Sequence, residues 1–170
     1  MDEAYRDAIR NIMYGMAGET RDDESLGVPA VYVGTNIFLN VWFEEMLKFS
    51  PAFYYLRRIL DLILECRFRL VVSDLTAKEL SRKTDLTREL IVQEYLRPFE
   101  IVGKLTVVEA TVEMIQDANA VSHKYGLHGA DAFHVLVAKR EGCVLVTRDV
   151  ELRTTAWKVG IKAALPEELI

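Results

Sequence analysis

The chain has 170 residues, of which 51% are hydrophobic and 28% charged, and its formal net charge is −5. These values are typical of one globular domain and exclude a collagen-like or low-complexity chain. The two cysteines, Cys66 and Cys143, exclude a disulfide scaffold and a zinc cluster built on cysteines. No apolar run reaches the roughly 18 residues that a membrane helix needs, and the N-terminus mixes acids and bases where a signal peptide would be apolar. We therefore expect a cytoplasmic protein that does not contact a membrane.

Residues 1–29 are predicted to be an N-terminal extension to a domain that covers residues 30–170. A short helix is predicted within residues 2–16 because four apolar residues share one helical face: Ile9, Ile12, Met13 and Met16. Residues 17–28 are polar and contain glycine, as in a linker. The net charge argues against binding nucleic acid by bulk charge. Most of the acid excess lies in the extension, so the domain itself can still carry a local basic surface.

From Pro29 onward, short apolar runs alternate with helical patterns. Strands are predicted at 30–33, 70–72, 143–146 and 161–164. Residues 101–108 are predicted to form either a pair of strands or one strand that is broken at Gly103. Helices are predicted at 35–47, 52–66, 87–96, 111–125, 130–140 and 150–157, and a further helix is predicted to begin at about residue 77. Gly126 is predicted to end the helix at 111–125. Apolar strands that barely alternate, separated by helices, indicate an α/β fold with a parallel central sheet covered by helices on both faces.

In such sheets ligands bind beyond the carboxyl ends of the strands, where this sequence places acidic residues. Glu79 lies one turn into the helix after the second strand, Asp131 opens the helix before the last strong strand, and Asp149 follows that strand. Clustered carboxylates repel one another, and a hard divalent cation such as Mg²⁺ or Mn²⁺ is one common resolution. A metal ion at this edge can polarise a phosphodiester.

Each of these acids also has a structural interpretation. Glu79 follows Thr76 with the spacing of a capping box, and Asp149 could be a helix cap. Asp131 lies in a helix first turn, where an acid is favoured, but its helix is apolar nearly all round, so we favour a functional role. His134, three residues after Asp131, is expected to be a packed histidine, because the zincin spacing is absent.

Other features narrow the possible functions. No G-x-G-x-x-G follows a strand, and neither a P-loop nor a G-x-S-x-G elbow occurs, which disfavours nucleotide cofactors and an α/β-hydrolase. Arg148 lies beside the predicted site and could hold a phosphate through two hydrogen bonds. Arg82 and Lys83, one turn beyond Glu79, are further candidates.

Four segments in order resemble the PIN domain, the metal-dependent nuclease fold that includes the VapC toxins. They are VYVGTNIFL at 31–39, SDLTAKE at 73–79, GADAFH at 129–134 and LVTRD at 145–149. The resemblance covers about residues 30–165 and implies a PIN-like, Rossmann-like three-layer sandwich. It also implies that Glu79, Asp131 and Asp149 are the catalytic metal ligands, supported by Asn36 and Thr147.

The resemblance further implies an Mg²⁺- or Mn²⁺-dependent endoribonuclease that cuts RNA, forms a homodimer and can have an antitoxin partner. One residue departs from the family pattern, since Gly34 stands where the family has an aspartate ligand. This departure implies either an inactivated or weakened enzyme, or a site of three acids and more water. Ser73 or Asp74 could compensate. The alternative function is a catalytically dead PIN domain that binds RNA or protein.

Overall fold

The computed structural model describes residues 28–43 and 51–170. The predicted helix within residues 2–16, nearly all of the predicted linker and the end of the helix predicted at 35–47 lie outside these residues. Within the described ranges, none of the helices has the length and apolar character that a membrane crossing requires.

The described residues form a five-stranded parallel sheet with the order β3-β2-β1-β4-β5. Its strands are β1 Ala30–Val33, β2 Arg69–Ser73, β3 Leu105–Val108, β4 Val144–Val146 and β5 Ala163–Ala164. The chain places β2 on one side of β1 and β4 on the other, so the strand order reverses between β1 and β4. The Gly34 N–H donates to the Val146 carbonyl at 2.9 Å across this point. Ligands in doubly wound sheets bind at such a switch point.

Eight α-helices connect and cover the strands in the described residues. They are α1 Thr35–Trp42, α2 Pro51–Leu64, α3 Asp74–Thr84, α4 Arg88–Leu90, α5 Arg97–Ile101, α6 Val112–Tyr125, α7 Gly129–Arg140 and α8 Val150–Lys158. A π-helical segment, Ile91–Leu96, joins α4 to α5, and a 3₁₀ turn at Pro166–Glu168 follows β5. The predicted alternation of strands and helices is confirmed.

The sheet has a separate apolar core on each face. Val31 and Val33 pack into the core under α1, α2 and α5, whereas Tyr32 between them packs into the core under α6, α7 and α8. This alternation follows from the two-residue period of a strand. Trp42 is buried in the first core and stacks on Phe38, with ring centroids 4.5 Å apart. The three-layer α/β sandwich predicted from the sequence is therefore confirmed.

The strand predicted over residues 101–108 is wrong in its first part. Helix α5 continues to Ile101, and only β3 is extended. Pro98 lies in the first turn of α5, where its fixed φ favours a helix, and Phe99 is buried in the core. Gly103 then turns the chain at a φ of +66°. Packing of this turn thus outweighs the β propensity of Ile101.

Candidate functional site

Residues that follow β1 and β4, together with side chains from α3 and α7, line one cavity of about 210 Å³ at the switch point. The lining consists of Gly34, Thr35, Asn36, Glu79, Arg82, Lys83, Asp131, His134, Thr147, Asp149 and Leu152. The cavity thus brings together the predicted acids, their predicted supporting residues and one predicted phosphate-binding arginine.

Gly34 is the N-cap of α1 and has ordinary backbone angles, with φ −62° and ψ 144°. It provides no side-chain cap to the helix. A Cβ at this position would lie 3.2 Å from Thr147 Oγ1 and 3.4 Å from the Val146 carbonyl oxygen. The backbone conformation therefore does not require glycine, and a side chain needs a small displacement of Thr147.

Glu79 lies inside α3 and does not cap it, so the capping-box interpretation of this residue is wrong. Ser73 is the N-cap, and its Oγ accepts from the Thr76 N–H at 3.4 Å. Thr76 Oγ1 in turn accepts from the Ser73 N–H at 3.4 Å. Because the helix begins at Asp74, the box uses Ser73 and Thr76, and Glu79 is left to line the cavity.

Two donors from different elements hold the Glu79 carboxylate. Thr35 Oγ1 in α1 donates to Glu79 Oε2 at 2.5 Å, and His134 Nε2 in α7 lies 3.1 Å from the same oxygen. Burial alone would raise the pKa of Glu79, but the hydrogen bonds and the charge of His134 outweigh it, so this pKa lies below its usual value. Glu79 is therefore ionised at neutral pH.

Asp131 lies half-buried in the first turn of α7. Burial raises its pKa above the usual value, and the negative charges of Asp149 and Glu79 raise it further. Asp149 is the N-cap of α8, where its Oδ1 accepts from the Leu152 N–H at 3.0 Å. It also lines the cavity, so its capping role does not remove it from the site.

The cations of the cavity come from the last turn of α3. Arg82 and Lys83 are exposed and line the cavity. Arg148 does not line it, and its Nη1 donates to Glu167 Oε2 at 3.1 Å. The structure thus places Arg82 with the acids and turns Arg148 toward the 3₁₀ segment.

Neither residue that could have compensated for Gly34 lines this cavity. Ser73 is buried and contacts Tyr32. Asp74 pairs with Arg88, and its Oδ2 accepts from the Ala110 N–H at 3.0 Å. Among the described residues, the carboxylates that line the site are therefore those of α3, α7 and the α8 N-cap.

A larger cavity of about 670 Å³ lies between α3, α6 and α7. Its lining includes Leu75, Ile115 and Phe133, and its acid, Asp74, is already paired with Arg88. The smaller cavity is lined by three carboxylates, two of which, Glu79 and Asp131, have shifted pKa values, as is typical of functional sites. We therefore assign the candidate site to the smaller, acidic cavity.

The donor set of the smaller cavity suits a hard divalent cation. Within residues 28–43 and 51–170, no three His, Cys, Asp or Glu side chains are gathered closely enough to hold a metal as they stand. Asp131, Asp149 and Glu79 nevertheless line the same cavity, and after burial the negative charges of Asp149 and Glu79 also raise the pKa of Asp131. A bound cation relieves this repulsion, and carboxylate oxygens are the ligands that Mg²⁺ and Mn²⁺ prefer.

The sheet order and the acidic cavity at the switch point define a class of Rossmann-like domains with an acidic site. Within this class, the family model of the PIN domain matches residues 31–158. The chain belongs to the PIN domain family, as its sequence motifs predicted. No curated protein matches the chain.

Several solved structures have the same fold. FitAcB from Neisseria gonorrhoeae is 17% identical, with a TM-score of 0.55 over 81% of this chain and 98% of that chain. VapBC2 from Rickettsia felis, bound to a DNA fragment from its promoter, is 12% identical, with a TM-score of 0.52 over 80% and 98%. A toxin–antitoxin complex from Klebsiella pneumoniae is 16% identical, with a TM-score of 0.51 over 80% and 97%. At these identities the likeness establishes the fold.

The hydrogen bonds that hold the acids could not be foreseen from the sequence. The expectation that His134 is a packed histidine is confirmed, since both ring nitrogens have partners. Its contact with Glu79 joins residues 55 positions apart, which no local pattern reveals. Thr35 carried a signal, since it is a polar residue two positions beyond a buried strand.

Proposed function

We propose that the chain is a divalent-metal-dependent endoribonuclease and the toxin of a toxin–antitoxin pair. The observation that carries this proposal is the shared cavity of three carboxylates and two cations at the sheet's switch point. Carboxylates can bind a divalent metal ion, and the neighbouring basic side chains can bind phosphate. This combination suits the cleavage of a phosphodiester.

Glu79, Asp131 and Asp149 would hold Mg²⁺ or Mn²⁺ through their carboxylate oxygens. When bound, such an ion polarises the phosphodiester and lowers the pKa of the attacking water. Thr147 Oγ1 accepts from the Asp149 N–H at 3.1 Å and so fixes the backbone that carries this acid. Asn36, exposed at the rim, would orient ligands.

Arg82 and Lys83 would bind the RNA phosphates. Both are basic side chains that are exposed on the last turn of α3. Arginine can bind a phosphate through two parallel hydrogen bonds, and lysine adds a point charge. The function thus uses one helix, α3, for a metal ligand and for substrate binding.

The test is an RNase assay with Mn²⁺ on the unchanged chain, Asp131→Asn, Gly34→Asp and the double variant. We expect weak cleavage by the unchanged chain and cleavage about 10²-fold faster by Gly34→Asp, because a fourth carboxylate positions the ion better. Both variants that carry Asp131→Asn should be silent. Glu151→Gln, which changes an exposed acid outside the cavity, should cut like the unchanged chain.

The assay also separates the enzyme from its alternative. Cleavage by the unchanged chain that Gly34→Asp does not increase would mean that three acids suffice. If no form cuts any RNA tried, the nuclease proposal fails, and a catalytically dead PIN domain that binds RNA or protein becomes the better account.

We also propose an antitoxin partner and a homodimer. The antitoxin is supported by the likeness to a toxin–antitoxin complex from Klebsiella pneumoniae. Expression of Gly34→Asp in a bacterial host should arrest growth, and Gly34→Asp with Asp131→Asn should not. Sedimentation equilibrium measures the oligomeric state, and a monomer at all concentrations would contradict the homodimer.

A further inference from the structure

A buried chain of hydrogen bonds runs from the second core to the acidic cavity. The Tyr32 hydroxyl lies 2.8 Å from Ser73 Oγ, 3.2 Å from Thr76 Oγ1 and 2.5 Å from His134 Nδ1. The other ring nitrogen of His134, Nε2, lies 3.1 Å from Glu79 Oε2. Tyr32 is 0% exposed and His134 5% exposed, so His134 connects the core with a cavity-lining acid.

The direction of these hydrogen bonds follows from the number of protons. Burial raises the pKa of Tyr32, so its hydroxyl is neutral and has one proton to donate. The shortest of its contacts is with His134 Nδ1, while the Ser73 and Thr76 hydroxyls can donate back to the Tyr32 oxygen. The ionised Glu79 carboxylate can only accept a hydrogen bond, so the proton of this contact lies on His134 Nε2. His134 therefore donates to Glu79.

We propose that His134, fixed by Tyr32, is a positioning residue for Glu79. The inference rests on the proposed function, because it concerns how Glu79 meets the metal ion. His134 and Thr35 both donate to Oε2 of Glu79. Among the contacts of the described residues, Oε1 of Glu79 therefore remains available to a cation.

Two donors from different helices restrain this carboxylate more than either alone. Thr35 belongs to α1 and His134 to α7, so rotation of the Glu79 carboxylate breaks at least one bond. Residues that hydrogen-bond metal ligands typically change metal affinity by about 10- to 100-fold when they are replaced. A histidine needed only for packing would be satisfied by Tyr32 and would not have to reach Glu79.

The test compares two amides at position 134 in the metal-free full chain. Gln places its amide nitrogen near the position of Nε2, whereas Asn places its polar atoms near Nδ1 and cannot reach Glu79. Mn²⁺ binding is measured from the electron paramagnetic resonance signal of free Mn²⁺, and stability from urea unfolding without metal. We expect His134→Asn to bind Mn²⁺ at least about tenfold more weakly, and His134→Gln to bind it nearly as the unchanged chain does.

Two further variants complete the design. In a Glu79→Gln background the two amides should bind Mn²⁺ equally, because the group that they position is gone. Tyr32→Phe should also weaken Mn²⁺ binding, since the imidazole loses the hydrogen bond at Nδ1 that fixes its orientation. If His134→Asn does not fold, Tyr32→Phe carries the test, and unchanged Mn²⁺ affinity in that variant would overturn the proposal.

The outcomes separate this inference from the proposed function. Equal Mn²⁺ affinity of His134→Asn and His134→Gln, with binding by the unchanged chain intact, overturns the positioning role alone. If the unchanged chain does not bind Mn²⁺, the proposed function and the positioning role both fail.

Discussion

Asp131 carries its charge half-buried and close to two other acids. Burial and the charges of Asp149 and Glu79 raise its pKa in the folded chain. A raised pKa means that the folded chain holds this proton more tightly than the unfolded chain, so stability is lost as the pH rises past that pKa. We expect Asp131→Asn to stabilise the metal-free chain at pH 7 by roughly 0.5 kcal/mol, the size of a screened charge interaction. Urea unfolding measures this difference.

The same variant should respond differently to pH and to Mn²⁺. At acidic pH, where Asp131 is protonated in both states, the stability difference should vanish. Added Mn²⁺ should stabilise the unchanged chain and not Asp131→Asn, because a ligand that binds only the folded state raises its stability. Glu151→Gln, an exposed change on α8, is the matched control. A metal-free Asp131→Asn less stable than the unchanged chain would mean that this carboxylate makes a stabilising contact.

Gly34 offers a second test at a single residue. As the N-cap of α1 it leaves the helix without a side-chain cap, and both Asn and Asp are good caps. The 3.2 Å approach of a Cβ to Thr147 Oγ1 opposes this gain. We expect Gly34→Asn to change metal-free stability by less than about 0.5 kcal/mol, because Asn and Gly differ as caps by only a few tenths of a kcal/mol. Gly34→Asp should be less stable than Gly34→Asn by roughly 0.5 kcal/mol without metal, because it adds a fourth negative charge to the cavity.

The two variants should differ in Mn²⁺ affinity, which titration calorimetry measures. Asp adds a charged oxygen ligand to the cavity and should tighten binding, whereas Asn caps the helix without adding that charge. Equal affinity in the two variants would contradict the view that position 34 is a ligand position.

The acids that line the cavity could be picked out from the sequence because each is marked by a local pattern. Asp149 lies three residues beyond a buried strand, and Asp131 is an acid at the start of an apolar helix. The pairings were not predictable, because Arg148 meets Glu167 at a separation of 19 residues and His134 meets Glu79 at 55. Such contacts depend on how the elements pack, which the sequence around either residue does not encode.

At the scale of the element, the glycine after α6 shows that a single residue can determine where a helix ends. Gly126 was predicted to end this helix, and it adopts a left-handed conformation at φ +67°. A Cβ there would meet nothing within 4 Å, so a substitution costs conformational strain without a clash. We expect Gly126→Ala to lower the free energy of unfolding by about 1 kcal/mol, measured by thermal or urea unfolding.

Gly129 is the matched control for this change. It lies in the first turn of α7, has no positive φ, and a Cβ there would also meet nothing within 4 Å. Gly129→Ala should be neutral or stabilise by about 0.5 kcal/mol, because Ala reduces the entropy of the unfolded chain. If the two alanine variants were equally stable, the left-handed conformation at position 126 would not require glycine.

Element boundaries were harder to predict where two structures compete for the same residues. The start of α3 was missed because Ser73 belongs to β2 and also caps the helix. The π-helical segment Ile91–Leu96 lies between α4 and α5, and its apolar residues suit several helical periods. Burial of Ile91 and Leu96 in the first core fixes the outcome, which is a tertiary effect.

At the scale of the whole molecule, the fold separates stability from chemistry. The two cores lie on opposite faces of the sheet, and the acidic cavity lies at its carboxyl edge between β1 and β4. This arrangement was foreseeable, because parallel strands direct all their following loops to one edge. The two cores, which do not contain the acids, therefore stabilise the fold and offset the repulsion between the acids.

The net charge of −5 predicts how RNA should bind to this molecule. Bulk charge repels RNA, so we expect binding to rely on the metal ion and on Arg82 and Lys83, the cations that line the cavity among the described residues. Each phosphate contact on a single strand contributes about −0.7 to the slope of log affinity against log salt concentration, so we expect a slope of about −1.4. Anisotropy of a labelled single-stranded RNA, with Ca²⁺ in place of Mn²⁺ to prevent cleavage, measures this slope.

Replacing the cations one at a time locates the phosphate contacts. Arg82→Ala and Lys83→Ala should each bring the slope to about −0.7 and weaken binding of all RNA sequences similarly. Arg148→Ala should leave the slope unchanged, because Arg148 pairs with Glu167 and does not line the cavity. If Arg148→Ala alone reduces the slope, this arginine leaves Glu167 to bind phosphate, as its position after β4 first suggested. A slope that none of the three variants changes would place RNA on another surface and separate RNA binding from the acidic cavity.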